Sequence, residues 1–151
     1  MTVASTSPES TRRLGELLGR ELARGDVVVL DGELGAGKTT FTQGVARGMG
    51  IPEQVTSPTF VVAREMPEGT TGTPLLHVDA YRIGSLYEWD DLDLDLAEFA
   101  TVVEWGQQIA QALPTDRLEV RIEGQGPSRQ LEYTAYGPRA RELLAVVDVE
   151  A

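Results

Sequence analysis

Gly32-Glu33-Leu34-Gly35-Ala36-Gly37-Lys38-Thr39, extended by Thr40, is the stretch that decides the fold of this chain. It satisfies G-x-x-x-x-G-K-[ST] at every fixed position. Glycines let a backbone curl until several N–H groups converge on one anion, and a helix N-terminus adds its dipole to that nest. A lysine in this place reaches the β and γ phosphates, and the next hydroxyl suits Mg²⁺. The candidate nucleotide contacts of the loop are therefore Glu33, Gly35, Ala36, Gly37, Lys38, Thr39 and Thr40. Average residue usage produces such a match by chance in roughly 0.5% of chains this long. The flanks agree with the motif. Val27-Val28-Val29-Leu30 is a continuous apolar run of the kind buried on both faces of a parallel sheet. Lys38 to about Met49 reads as a helix, stopped by Gly48 and Gly50.

The nucleotide base follows from a count. Of the 13 basic residues one, Lys38, is lysine. The Asn/Thr-Lys-x-Asp element that reads guanine needs a second lysine, so adenine is favoured and ATP is the expected nucleotide. No Ser-Gly-Gly-Gln segment exists, which counts against a transporter-type ATPase. A phosphate loop also needs an acid at the end of a neighbouring strand to hold Mg²⁺, directly or through water. Asp79 ends Leu75-Leu76-His77-Val78, and Glu104 ends Thr101-Val102-Val103. Each alone could be an ordinary strand-end acid facing water; that both follow apolar runs downstream of the loop favours the site. Local sequence leaves open which touches the metal and which orients the attacking water. The candidate catalytic residues are Lys38, Asp79 and Glu104.

Outward from there, Thr6-Ser7-Pro8-Glu9 can start a helix, with Leu14, Leu17, Leu18 and Leu22 as its apolar stripe. The N-terminus shows no apolar signal core and is expected to run straight into that helix. Phe60-Val61-Val62-Ala63 is β-prone, Pro67–Pro74 is turn chemistry, and Leu75–Asp79 can pair back as a hairpin. A helix is expected near Gln107–Leu113, half-exposed strands at Leu118–Glu123 and Gln130–Tyr136 around the turn Gly124–Ser128, and a short helix at Pro138–Val146. Leu86–Phe99 interleaves acids with leucines; it suits a solvated helix or loop, and its leucines could equally form a docking edge. Ser57-Pro58-Thr59 reads locally as a Ser-Pro turn, though a hydroxyl there could sense a γ-phosphate. His77 shares a strand face with Asp79, and a bond to backbone or carboxylate suits it better than catalysis. The expectation is α/β: one P-loop NTPase domain over residues 1–151, with a mainly parallel central sheet and added antiparallel strands.

Composition narrows the setting. An apolar fraction of 41% and a charged fraction of 25% are those of a globular chain. No run approaches the roughly 18 apolar residues of a membrane span. With no cysteine there is no disulfide or thiolate chemistry, and a cytoplasmic site is the expectation. A net charge of -11 opposes direct grip on a nucleic acid, so any RNA would be held by a partner.

Taken together, Gly32–Thr40 (GELGAGKTT), Thr56–Phe60 (TSPTF), His77–Arg82 (HVDAYR) and Glu104-Trp105 (EW) resemble, in order and spacing, the bacterial TsaE (YjeE) ATPases. The resemblance runs from about Thr11 to the C-terminal helix. It implies a part in forming threonylcarbamoyl-adenosine at position 37 of ANN-decoding tRNAs. The implied partners are a TsaD-like transferase and a TsaB-like scaffold, with tRNA reached only through them. By the same resemblance Thr39 and Glu104 match Mg²⁺ ligands, Asp79 the acid near the phosphates, and Thr59 a switch-like hydroxyl. Thr11 and Arg129 match nucleotide contacts at the rim, and Trp105 a tryptophan beside the site. Two departures stand out: Gly106 and Gln107 lie where many members carry another acid, and the acidic stretch differs in detail.

Two rivals remain. A small-molecule or nucleoside kinase also carries an N-terminal phosphate loop, but it needs a lid of converging arginines and an acceptor pocket. A nucleotide-gated interaction protein would hydrolyse ATP only incidentally.

Overall fold

The computed structural model describes residues 1–33, 36–52, 55, 63–83 and 85–150. In chain order the strands and α-helices are β1 (Thr2–Ser5), α1 (Pro8–Gly19), β2 (Val27–Asp31), α2 (Lys38–Gly48), β3 (Ala63–Met66), β4 (Leu75–Asp79), α3 (Leu86–Asp91), β5 (Ala100–Glu104), β6 (Arg117–Glu123), β7 (Arg129–Tyr136) and α4 (Pro138–Glu150). Three 3-10 segments, Ala80–Arg82, Leu96–Glu98 and Gly106–Ala112, join them.

All seven strands form one sheet in the order β1-β7-β6-β2-β5-β4-β3. The four in the middle are parallel: β2 lies between β6 and β5, and β4 follows β5. The edges are antiparallel, β3 on β4 at one side and β7 then β1 at the other. The α/β class with a parallel centre and added antiparallel strands is therefore as the sequence indicates. Val28 and Leu30 pack on one face with Leu14, Phe41, Val45 and Leu143, while Val27 and Val29 pack on the other with Ile109 and Leu113. That split explains why β2 is apolar at consecutive positions: both faces are covered. Among the described residues no helix is long and apolar enough to cross a membrane.

α1 starts where Ser7 Oγ accepts from Ser10 N at 3.0 Å, with Pro8 in the first turn. It packs on α2 through glycines. A Cβ on Gly15 would lie 2.2 Å from Phe41 O, and one on Gly44 would lie 1.9 Å from Arg12 O. Gly19 and Gly48 make the same kind of approach, to Val45 O at 2.1 Å and Glu16 O at 2.2 Å. Backbone therefore touches backbone, and α1 is clamped to the helix that begins with the phosphate loop's lysine.

Four sequence expectations change. The N-terminus does not enter α1 directly: β1 pairs with β7 from Thr2↔Glu132 to Ser5↔Arg129. Four residues carry too little pattern to be read as a strand, and the pairing comes from β7. α4 continues beyond Val146 to Glu150 because no breaker intervenes and Val147 is fully buried. Asp116 anchors its start, accepting from Arg139 N at 3.0 Å and Ala140 N at 2.9 Å. The helix expected near Gln107–Leu113 is a 3-10 segment, entered through Trp105 in the left-handed region. Three of the four leucines of the acidic stretch turn inward instead of forming a docking edge, and Leu86 alone is exposed. Leu92, Leu94 and Leu96 pack on the core that Val27, Val29, Ile109 and Leu113 form, and Asp91, Asp93 and Asp95 alternate with them on the outside. Of the Phe60–Ala63 strand, residues 60–62 lie outside the described residues; the hairpin with β4 is present, formed by β3.

Candidate phosphate and metal site

The site lies at the carboxyl ends of the parallel strands, where β2 turns into the loop before α2. Gly37, at φ 111°, makes that turn into the helix, a conformation open to glycine at little cost. Lys38 opens α2 and is buried at 5% exposure. Its Nζ donates to Gly32 O at 2.5 Å and sits 3.6 Å from the centroid of the Trp105 ring. Burial pushes the Lys38 ammonium below its ordinary pKa, and Glu104, Asp31 and Asp79 oppose that shift in that order. The fields of three carboxylates thus act on the one lysine. Thr39 is half-buried in the first turn of α2.

Asp79 and Glu104 end adjacent parallel strands and are register partners, and Glu104 is also the partner of Leu30, the residue before the end of β2. The sheet brings the two sequence-selected acids side by side next to the loop. They differ in setting. Glu104 is 5% exposed and bonds His77 Nε2 through Oε2 at 2.6 Å. Asp79 is half-buried, and its Oδ1 accepts from Tyr81 N at 3.0 Å, capping the 3-10 turn Ala80–Arg82. His77 therefore has the carboxylate bond that its strand position suggests. Trp105, at φ 62°, carries its indole from the end of β5 over Lys38 and against Tyr81, ring centroids 5.3 Å apart. The family resemblance puts Trp105 beside the site; its position over Lys38 is seen only in the structure.

On the other side of the loop, Thr11, Gly37, Thr40, Gly126, Pro127 and Arg129 line a narrow cleft of about 40 Å³. Thr11 is buried and its Oγ1 lies 2.7 Å from Ser5 Oγ. Arg129 Nε donates to Ala36 O at 2.7 Å, tying the start of β7 to the phosphate loop. A larger cleft of about 350 Å³ opens beside it, lined by Gly32, Glu33, Ala36, Arg121, Ile122 and Gln125. Thr11, Thr40 and Arg129, far apart in sequence, are thus one wall. Gly126 and Pro127 of the β6–β7 turn join them without having stood out in the sequence. Gly35 and Thr59 lie outside the described residues.

Chemically the set has a helix N-terminus and an ammonium for polyphosphate, and hydroxyl and carboxylate oxygens for a hard cation. Among the described residues no group of three or more His, Asp or Glu gathers as a metal cage. Mg²⁺ usually takes one or two protein carboxylates and completes its shell with phosphate and water, and Asp79 and Glu104 lie at adjacent strand ends. The donor set fits a Mg²⁺–nucleotide.

The family model described as threonylcarbamoyl adenosine biosynthesis protein TsaE matches residues 5–131. A tRNA threonylcarbamoyladenosine biosynthesis protein TsaE from Streptomyces coelicolor is 53% identical over 115 residues, 74% of this chain and 78% of that protein. Its namesake from Bacillus subtilis is 40% identical over 143 residues, covering 92% and 88%. The crystal structure of Bacillus subtilis YdiB superposes with a TM-score of 0.82 at 32% identity, covering 99% of this chain and 95% of that one.

Proposed function

We propose, because this chain belongs to the TsaE family of threonylcarbamoyl adenosine biosynthesis proteins, that its residues 1–151 form a single P-loop domain that binds ATP with Mg²⁺ and hydrolyses it. Hydrolysis would drive the partner proteins that form threonylcarbamoyl-adenosine at position 37 of ANN-decoding tRNAs. The observation that carries the reading is the convergence of Lys38, Asp79 and Glu104 where β2, β4 and β5 end together.

In this reading the loop amides and the α2 N-terminus hold the phosphates, and Lys38 leaves Gly32 O and the Trp105 ring to neutralise them. Thr39 and Glu104 hold the metal; Mg²⁺, when bound, supplies charge neutralisation on the transferring phosphoryl. Asp79 holds the attacking water. Thr11, Thr40 and Arg129 bound the nucleotide at the opposite rim, with the loop residues Glu33, Gly35, Ala36 and Gly37 between. Thr59 is the switch-like hydroxyl. The partners are a TsaD-like transferase and a TsaB-like scaffold in the cytoplasm, and they carry the tRNA, which suits a chain of net charge -11.

Phosphate release from ATP, measured with and without the partner proteins, tests this. Lys38→Ala is expected to abolish release and weaken ATP binding, because the one mobile cation is lost. Near-parental release by that variant with partners present would overturn the reading. ATP-dependent phosphorylation of an added small-molecule acceptor would favour a kinase instead.

A further inference from the structure

His77 is the only histidine of the chain, and it is fully buried in β4. Its Nε2 lies 2.6 Å from Glu104 Oε2, across 27 residues of sequence. Its Nδ1 is buried without a partner among the described residues. All the hydrogen bonding visible for this ring is therefore directed at one carboxylate oxygen. A ring present for packing alone would be better served by an apolar side chain, since an unpaired buried nitrogen is costly. Register explains the aim. His77 pairs with Val102 and Asp79 with Glu104, so the imidazole sits one pleat below the two acids on their shared face. Oε1 of Glu104 accepts no hydrogen bond among the described residues.

We propose that His77 is the positioning residue of Glu104: its Nε2–H ties down one carboxylate oxygen and presents the other to the hard cation that accompanies the nucleotide. The proposal rests on the reading of Glu104 as a metal-site carboxylate. Hydrogen-bond partners of this outer kind typically change metal affinity about 10- to 100-fold when removed.

The test is a Mg²⁺ titration of the full chain with β,γ-imido-ATP, following nucleotide binding. His77→Leu is expected to raise the Mg²⁺ needed for half-saturation by about 10- to 100-fold while leaving Mg²⁺-free nucleotide affinity unchanged. His77→Gln, whose amide can reach the place of Nε2, should stay within a few-fold of the parent. Parental Mg²⁺ dependence in His77→Leu overturns the proposal alone, and so does an equal loss in both variants, which would mark a packing role. If the parent itself binds the nucleotide without regard to Mg²⁺, the reading of Glu104 falls and the proposal falls with it. Should the variants not fold, the ¹⁵N spectrum of the single imidazole decides. A proton on Nε2 whose signal moves in Glu104→Gln supports the proposal, and a bare Nε2 overturns it.

Discussion

Glu104 and Asp79 are paired by register yet held in different environments. Glu104 is buried and fixed by His77, whereas Asp79 is half-buried and shares its carboxylate with a turn amide. A buried, oriented carboxylate suits a cation; a more open one suits a water that must arrive and leave. Glu104→Ala is accordingly expected to weaken Mg²⁺–nucleotide binding, and Asp79→Ala to spare binding and lose turnover. Labelled-ATP binding and phosphate release on both variants check this, and the reverse pattern would exchange the two roles. The strand-end position of each acid is written in consecutive residues, so both were visible in the sequence. Their difference was not, because it depends on what lies one strand away.

At the scale of elements, the α1–α2 clamp is the feature on which the site's shape depends. Thr11 belongs to α1 and Thr40 to α2, and both line the narrow cleft beside the loop. Gly44→Ala would place a Cβ 1.9 Å from Arg12 O and 2.7 Å from Arg12 C, backbone atoms that move only if the helices part. Alanine should otherwise gain about 1 kcal/mol over glycine inside a helix. Overpacking costs about 1–3 kcal/mol and sometimes more. The clash is expected to win, giving a net loss of stability with weaker ATP binding. Urea unfolding measures it; a variant as stable as the parent would mean that the helices separate freely. In sequence Gly48 reads as a helix stop. The spacing of Gly15 with Gly19 and Gly44 with Gly48 was the available signal, and it acquires meaning only when two helices meet.

Over the whole molecule, residues 86–98 carry a run of exposed acids. Glu88, Asp90, Asp91, Asp93, Asp95 and Glu98 are exposed, as are Leu86 and Tyr87, while Trp89 is buried. The segment follows the turn that begins at Asp79 and precedes β5, which ends at Glu104, so both its ends connect to the site. A surface of this charge favours a basic partner and acts mostly on association and specificity. Charge reversal at Asp90, Asp91 and Asp93 is expected to weaken binding to the partner complex while leaving ATP affinity unchanged. If nucleotide state is transmitted through this segment, partner affinity must differ between the ATP-analogue and ADP forms. Equal affinities in the two states would remove the switch and leave the ATPase reading standing.

The sequence by itself determined the phosphate-loop motif, the apolar run of strand β2 at the parallel centre of the sheet and the two strand-end acids. Each is local: the loop needs its residue types at fixed spacing, and a strand covered on both faces must be apolar at every position. Only the tertiary structure decided that β1 completes the sheet, that Leu92, Leu94 and Leu96 face inward, and that Trp105 covers Lys38. It likewise brought Thr11 and Arg129 to one cleft and His77 to Glu104. These depend on strand register and helix approach, which are settled by contacts between residues far apart in the chain, where no local pattern carries them.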